Sequence, residues 1–279
     1  MYRREKRAVA DHSADDVFGT HHNHHRAGSP PWMCYSTAVG RRFPHVDWET
    51  LSELGTDHLE IRGFSGFSHV RCPKATLPAC ICGRYSCHLD SVIVAADGAC
   101  PGNGQNATQS ACGVYFGDVS DAQSYNLCWL VPYDPSHPHT NQRAELHAAL
   151  GALKAVKVFA TRGGQWDCGP NQCETPCTAN HIVIKSDSAY LVDSITNYIG
   201  KWISNGWLNS SKRPVANRDL WEEILIKIFD IEASGAHVDF WHVPREMNTE
   251  ADRLANLALS GNGIPEYSPS LGHNVLRFP

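Results

Sequence analysis

The hydrophobic pattern divides the chain near residue 90. Upstream, the first thirty residues carry the run His21-His22-Asn23-His24-His25 and the stretch Gly28-Ser-Pro-Pro31 without an apolar period. Such a segment buries too little surface to offset the entropy of ordering it, so it reads as disordered. Residues 46–70 hold scattered apolar positions (Val46, Trp48, Leu51, Leu54, Leu59, Ile61, Phe64, Phe67), with a short helix expected over 47–54. From Ser91 the pattern becomes regular. Val92–Ala96 is an apolar run ending in Asp97-Gly98 and predicts a strand. Ala111–Phe116 and Tyr125–Val131, both flanked by turn formers, predict two more. Behind Thr140-Asn-Gln-Arg-Ala-Glu145, the helical spacing of Leu146, Leu150, Leu153 and Val156 predicts a helix to about Ala160. After a polar insert (161–180) come a strand at His181–Lys185, helices over 188–205 and 217–233, a strand at Val238–His242 and a helix from Thr249 to Ser260. The order β-β-β-α-β-α-α-β-α predicts an α/β domain: a five-stranded mixed sheet, its first three strands antiparallel, flanked by helices. The expected organisation is a disordered His-rich tail (1–45), a partly ordered extension with a cysteine cluster (46–90), the main domain (91–261) and a C-terminal tail (262–279).

Charge and cysteine content narrow the setting. A net charge of −5 argues against holding nucleic acid by bulk positive charge alone. No apolar run approaches the length of a membrane-spanning helix, about 18 residues or more, so no membrane is expected. The basic start Met1-Tyr-Arg-Arg-Glu-Lys-Arg is not followed by the apolar stretch of a secretory signal. Eleven cysteines then read as reduced thiols of an intracellular protein, nuclear or cytoplasmic, with a mitochondrial location left open. Cys72, Cys80, Cys82, Cys87 and His88 form one cluster, and Cys168, Cys173 and Cys177 another. Neither has the paired spacing of common zinc modules, so separate thiols are the default, with a shared zinc ion or a disulfide as the alternatives. No obligate protein partner is evident.

Four acids mark the places where an α/β sheet presents residues to a common crevice. Each also has a local explanation. Asp97 is followed by glycine, as in a turn. Glu145 opens a helix behind Asn141 as its cap, where a negative charge suits the helix dipole. Asp187 follows a strand and is placed to cap the next helix, and Thr249-x-x-Asp252 has the form of a capping box. Should the four converge instead, their repulsion requires a cation among them. Hard carboxylate oxygens suit Mg²⁺, and a pair of such ions is a known device for phosphodiester displacement.

The surrounding residues resemble a known family. Asp97-Gly-Ala-Cys-Pro-Gly-Asn-Gly104, Thr140-Asn-Gln-Arg-Ala-Glu145, Ser186-Asp-Ser188 and Glu250-Ala-Asp-Arg-Leu-Ala255, in that order, resemble the motifs of type 1 ribonuclease H from about Ser91 to Leu259. The resemblance implies a ribonuclease H-like fold. It also implies that Asp97, Glu145, Asp187 and Asp252 are catalytic ligands of two Mg²⁺ (or Mn²⁺) ions that cut the RNA strand of RNA–DNA hybrids, leaving 5′-phosphate and 3′-hydroxyl ends. It places Asn103, Asn141 and Gln142 in the minor groove, where amides sense the 2′-hydroxyl. Tyr198 and Trp202 fall along the DNA strand, and Thr140 and Asn217 at a DNA phosphate. Local roles compete here too: turn and cap chemistry for the amides, and helix packing for Trp202 and Trp207, favoured only for Trp207.

This chain departs from the family at two points. Many members carry a His on a loop before the last Asp; Val243-Pro-Arg-Glu-Met-Asn-Thr-Glu-Ala-Asp252 is too short for that loop and has no His, as in plant-like and some archaeal members. His242 closes the preceding strand, and Glu246 reads as a solvated loop carboxylate rather than a substitute. Slower turnover is the expectation. The protrusion, with only Lys201, Lys212, Arg213 and Arg218 as cations, predicts weak, salt-sensitive hybrid binding. A catalytically silent hybrid-binding protein on the same fold is the rival reading. Residues 1–70 carry none of the matched motifs, so their removal is expected to leave cleavage largely unchanged.

Overall fold

The computed structural model describes residues 41–43, 59–63, 66–71, 75–76, 79–80, 87–103, 107–118, 120–123, 125–161 and 179–261. The expected helix over 47–54, the His-rich run, the C-terminal tail, most of the 161–180 insert and the side chains of both cysteine clusters lie outside these residues. The strands are β1 (Arg42–Phe43), β2 (Glu60–Arg62), β3 (Ser68–Arg71), β4 (Ala75–Thr76), β5 (Ala79–Cys80), β6 (Cys87–Ala99), β7 (Ala111–Tyr115), β8 (Leu127–Leu130), β9 (His181–Ser186) and β10 (His237–His242). The helices are α1 (Ser120–Gln123), α2 (Asn141–Thr161), α3 (Ala189–Asp193), α4 (Ile199–Ser204), α5 (Arg218–Glu232) and α6 (Thr249–Leu259). A π-helical turn, Ser194–Tyr198, joins α3 to α4.

β6 is the axis of the sheet. On one edge it pairs in parallel with β9 (Val92 opposite Ile182, Ala95 opposite Lys185), and β10 lies parallel beyond. Its other edge is shared lengthwise. The antiparallel β3 takes the N-terminal half, and β7, also antiparallel, the C-terminal half, with Asp97 opposite Gly113. β8 continues antiparallel beyond β7. The five expected strands, β6 to β10, are present with the expected antiparallel meander and parallel additions.

Three short strands enlarge the sheet. β1 pairs in parallel with β10, and β2 and β3 form a hairpin against β6. Arg42–Phe43, expected in the disordered tail, therefore form an edge strand, and the expected domain boundary at residue 91 falls inside β6. Strands of two to four residues are too short to show a period-two pattern; their partners place them. Alternation along β6 turns Val92, Val94 and Ala96 toward the helices α2, α3 and α5. Ile93 and Ala95 face the opposite side, which α6 covers through Ala251, Leu254 and Ala258. The N-terminal strands cover the rest of that side with Phe43, Leu59 and Val70. On β2, Glu60 pairs at 2.6 Å with the nearly buried ammonium of Lys185. The expectation that residues 1–70 are dispensable therefore does not extend to the described residues 41–43, 59–63 and 66–70, which pair with or pack on this sheet.

Candidate active site

Two glycines let helices reach the sheet where the acids stand. A Cβ at Gly98 would lie 2.2 Å from the Ala144 carbonyl carbon, so α2 touches β6 at the residue next to Asp97. A Cβ at Gly113, opposite Asp97, would lie 2.1 Å from the Ala251 carbonyl oxygen, so α6 crosses β7 there. Glu145 and Asp252 are thereby carried toward Asp97. Asp187 arrives from the parallel register: Ala95 pairs with Lys185, and two residues beyond each lies an Asp, Asp97 within β6 and Asp187 just past the end of β9. Asp97, Glu145, Asp187 and Asp252 line one cleft of about 270 Å³ with Asn141, Arg245 and Asn256.

The local explanations for the acids fail one by one. Asp97 lies within β6, paired to β7, and the turn follows it. Thr140, not Asn141, caps α2 by accepting from the Arg143 amide at 3.2 Å. Asn141 is the first helical residue, and Glu145 stands one turn in rather than in the first turn. Ser188, not Asp187, caps α3. No capping box forms at Asp252: its carboxylate takes Arg245 at 2.8 Å and the Asn256 amide at 3.1 Å.

Electrostatics register the crowding. Burial, then Asp187 and Asp252, push the Asp97 carboxyl up to about 7. Burial, then Asp97 and Asp187, push Glu145 up to about 9. The Gly98 amide faces both and offsets part of the cost. Glu145 Oε2 is buried without a hydrogen-bond partner. Two side chains absent from the sequence-based reading answer the charge. Arg245, largely exposed, lies over Asp252, with Asp187 and Asp97 also raising its pKa. Asn248 is buried and donates to Asp187 Oδ1 at 2.8 Å and to the Ala96 carbonyl at 3.2 Å. Its position before α6 resembles that of a cap, but its side chain makes no cap bond.

The donor set fits a hard divalent cation: the side chains are carboxylates, the pKa values of Asp97 and Glu145 are raised by burial and then by neighbouring acids, and one buried Glu145 oxygen is unpaired. As they stand, among the described residues, no three His, Cys, Asp or Glu side chains close on a common point.

Of the expected substrate residues, Asn141 lines this cleft. Asn103, at φ 37°, accepts from the Asn141 amide at 3.0 Å, so the two stand together at the start of α2 with exposed Gln142 beside them. Tyr198 is half exposed, its ring 6.1 Å from that of Trp202 and tilted by 31°. Trp202 is half buried and meets Trp221 edge-on, whereas Trp207 is core. Asn217 accepts from Arg143 at 3.3 Å and donates to the Tyr190 hydroxyl, and Arg143 also grips Asp219. Thr140 and Asn217 are thus tied through Arg143. Of the four cations of the protrusion, Lys201, Lys212 and Arg213 are exposed, while Arg218 pairs with Glu222 and lies over the Trp207 ring. His242 is exposed at the end of β10, and Glu246 is exposed on a 3₁₀ turn.

Comparison with known proteins gives this arrangement a class. The family model described as RNase H matches residues 90–260. A ribonuclease H of Symbiobacterium thermophilum is 33% identical over 179 residues, covering 62% of this chain and 97% of that protein. The mouse ribonuclease H1 is 29% identical over 225 residues, covering 78% of this chain and 64% of that one. The ribonuclease H of Crithidia fasciculata is 32% identical over 142 residues, and the match spans only 28% of its length. Among solved structures, LC11-RNase H1 in complex with an RNA/DNA hybrid is 20% identical, covering 61% of this chain and 96% of that one, with a TM-score of 0.40. The chain belongs to the RNase H family, of the type 1 kind. No helix among the described residues is long and apolar enough to cross a membrane.

Proposed function

We propose that the protein is an intracellular endonuclease that hydrolyses the RNA strand of RNA–DNA hybrids with divalent metal, Mg²⁺ in the first place. The observation that carries this reading is the convergence of Asp97, Glu145, Asp187 and Asp252 on one cleft. Membership of a family whose named members are ribonucleases H supports it. A protein that only bound hybrid would gain nothing from burying carboxylates that repel one another and a phosphate.

Asp97, Glu145, Asp187 and Asp252 would hold the metal. Bound there, a pair of ions would supply activation of a water and stabilisation of the leaving 3′ oxygen, consistent with 5′-phosphate and 3′-hydroxyl ends. The chain's own part is orientation. Asn248 holds the Asp187 carboxylate through one oxygen and leaves the other for a ligand. Asn103, Asn141 and Gln142 meet the minor groove with amides able to donate to and accept from a 2′-hydroxyl. Tyr198 and Trp202 offer flat faces to the DNA strand, and Thr140 and Asn217 grip a phosphate. The short segment between β10 and α6 has no His to help product leave, which favours slow turnover.

Incubating the protein with end-labelled hybrid, double-stranded RNA and double-stranded DNA in Mg²⁺ tests the reading. Cutting confined to the RNA of the hybrid supports it. Binding without cutting favours the silent rival, and cutting of double-stranded RNA overturns the substrate assignment.

A further inference from the structure

The edge strand β1 lies outside the segment that matches the family, yet it is firmly seated. Arg41 is buried and donates two bonds to Glu232 at the end of α5 and one to the Val238 carbonyl at 3.0 Å. The Phe240 amide donates to the Arg41 carbonyl at 2.7 Å. Phe43 is buried, edge-on to Trp241 at 5.3 Å. Between these two anchors, Arg42 has little freedom to wander.

Its guanidinium extends to the π-helical turn. Arg42 Nη2 donates to Asp193 Oδ1 and to Thr196 Oγ1, the latter at 3.2 Å. Thr196 in turn donates its hydroxyl proton to the Val192 carbonyl at 2.7 Å. The turn is defined by the Ile199 amide donating to the Ser194 carbonyl, five residues back. Such turns fit poorly into the regular helix ladder and tend to persist where neighbours hold them. Tyr198 ends this one, exposed, with its ring beside Trp202. A relay therefore runs from a fixed strand through Arg42 and Thr196 to the Val192 carbonyl, bracing the start of the turn that Tyr198 ends.

We infer that Arg42 is a positioning residue for hybrid binding, holding the Ser194–Tyr198 turn so that Tyr198 and Trp202 present one platform to the DNA strand. This deepens the proposed function and rests on the platform assigned there. A single nitrogen makes Arg42's bonds to Asp193, just before the turn, and to Thr196 within it, so a lysine ammonium has the donors to replace it. Removing Arg42 leaves the Arg41 and Phe43 anchors in place.

The test compares wild type, Arg42→Ala, Arg42→Lys and Tyr198→Ala, with a labelled RNA–DNA hybrid as probe. In Arg42→Ala, KM for hybrid should rise roughly three- to tenfold while kcat changes less than about twofold, the mark of lost substrate positioning without lost chemistry. Without nucleic acid, the amides of residues 194–199 should exchange hydrogen faster in Arg42→Ala, and Arg42→Lys should restore both KM and protection. Unchanged exchange in Arg42→Ala overturns the inference. So does a KM that stays at the wild-type value while Tyr198→Ala raises it. If Tyr198→Ala itself leaves KM unaltered, the platform fails, and the inferred role in hybrid binding fails with it.

Discussion

The backbone of Glu145 lies against Gly98 so closely that a methyl group at position 98 would stand 2.3 Å from the Glu145 nitrogen. No side chain tolerates that distance, so any residue larger than glycine must push α2 off the sheet. The helix carries Glu145 at this contact, and its first turn carries Asn141 and Gln142. Gly98→Ala is expected to displace both the acid and the amides by about an ångström, enough to cost roughly 100-fold in kcat. Overpacking at this contact should also cost stability, about 1–3 kcal/mol. Steady-state cleavage and urea unfolding of the variant check the two effects, and wild-type kcat would show that α2 need not touch Gly98.

The N-terminal strands belong to the fold. Phe43, Leu59, Phe67 and Val70 are buried, and Glu60 neutralises the nearly buried Lys185. Burial pushes the Glu60 carboxyl up, yet Lys185, aided by Ser68 and Arg62, outweighs this and holds it below the usual carboxylate range. Burying each large apolar side chain contributes about 1.5–3 kcal/mol, and stranding a buried charge costs about 3–5 kcal/mol. Their sum is comparable with the whole stability of an ordinary domain, about 5–15 kcal/mol. A chain beginning at Gly40 should therefore melt cooperatively, whereas one beginning at Cys72 should be unfolded or insoluble. Similar melting temperatures for the two would place the domain boundary back near residue 91.

A separate group of charges predicts a pH dependence. His237 donates toward Asp239 and Glu232, and these bonds, Asp239 first, raise its pKa to about 9 from an ordinary 6.5. Asp239 is fully buried and also meets His181 at 2.8 Å, while Glu232 holds Arg41. Because the folded value lies above the unfolded one, the charged His237 contributes stability that is whole below about 6.5 and is lost as pH rises through about 9. The metal-site acids slope the same way, since folding raises the pKa of Asp97 and Glu145. Subtraction separates the contributions. The melting temperature of wild type should fall more steeply between pH 6.5 and 9 than that of His237→Asn, and parallel curves would exclude the histidine. More than half of the His237 side chain is exposed, so solvent screening keeps the difference small.

Much of the fold was legible because β6 to β10 and the longer helices carry enough residues to show a period. β1 to β3 were not, since Arg42-Phe43 or Glu60-Ile-Arg62 has no pattern until a partner strand supplies one. The acids stood out through their flanking motifs, not through charge alone. Arg245 and Asn248 escaped notice because an arginine on a short loop and an asparagine before a helix have ordinary explanations. Only the placement of Asp252 and Asp187 beside them shows otherwise. The cap of α2 was misplaced by one residue, as Thr140 and Asn141 are both competent caps and sequence does not choose between them.

Asp187→Asn tests the metal site most directly, because the new side chain keeps an oxygen for the Asn248 amide while losing its charge. Cleavage of labelled RNA–DNA hybrid is measured as Mg²⁺ rises from none to millimolar, alongside melting temperature in a chelator. Wild type should cut only once Mg²⁺ is present. The variant should not cut at any concentration, yet should melt no lower than wild type in chelator, because one repelling charge is gone. Cleavage by Asp187→Asn at the wild-type rate, or by wild type in chelator, would contradict the account.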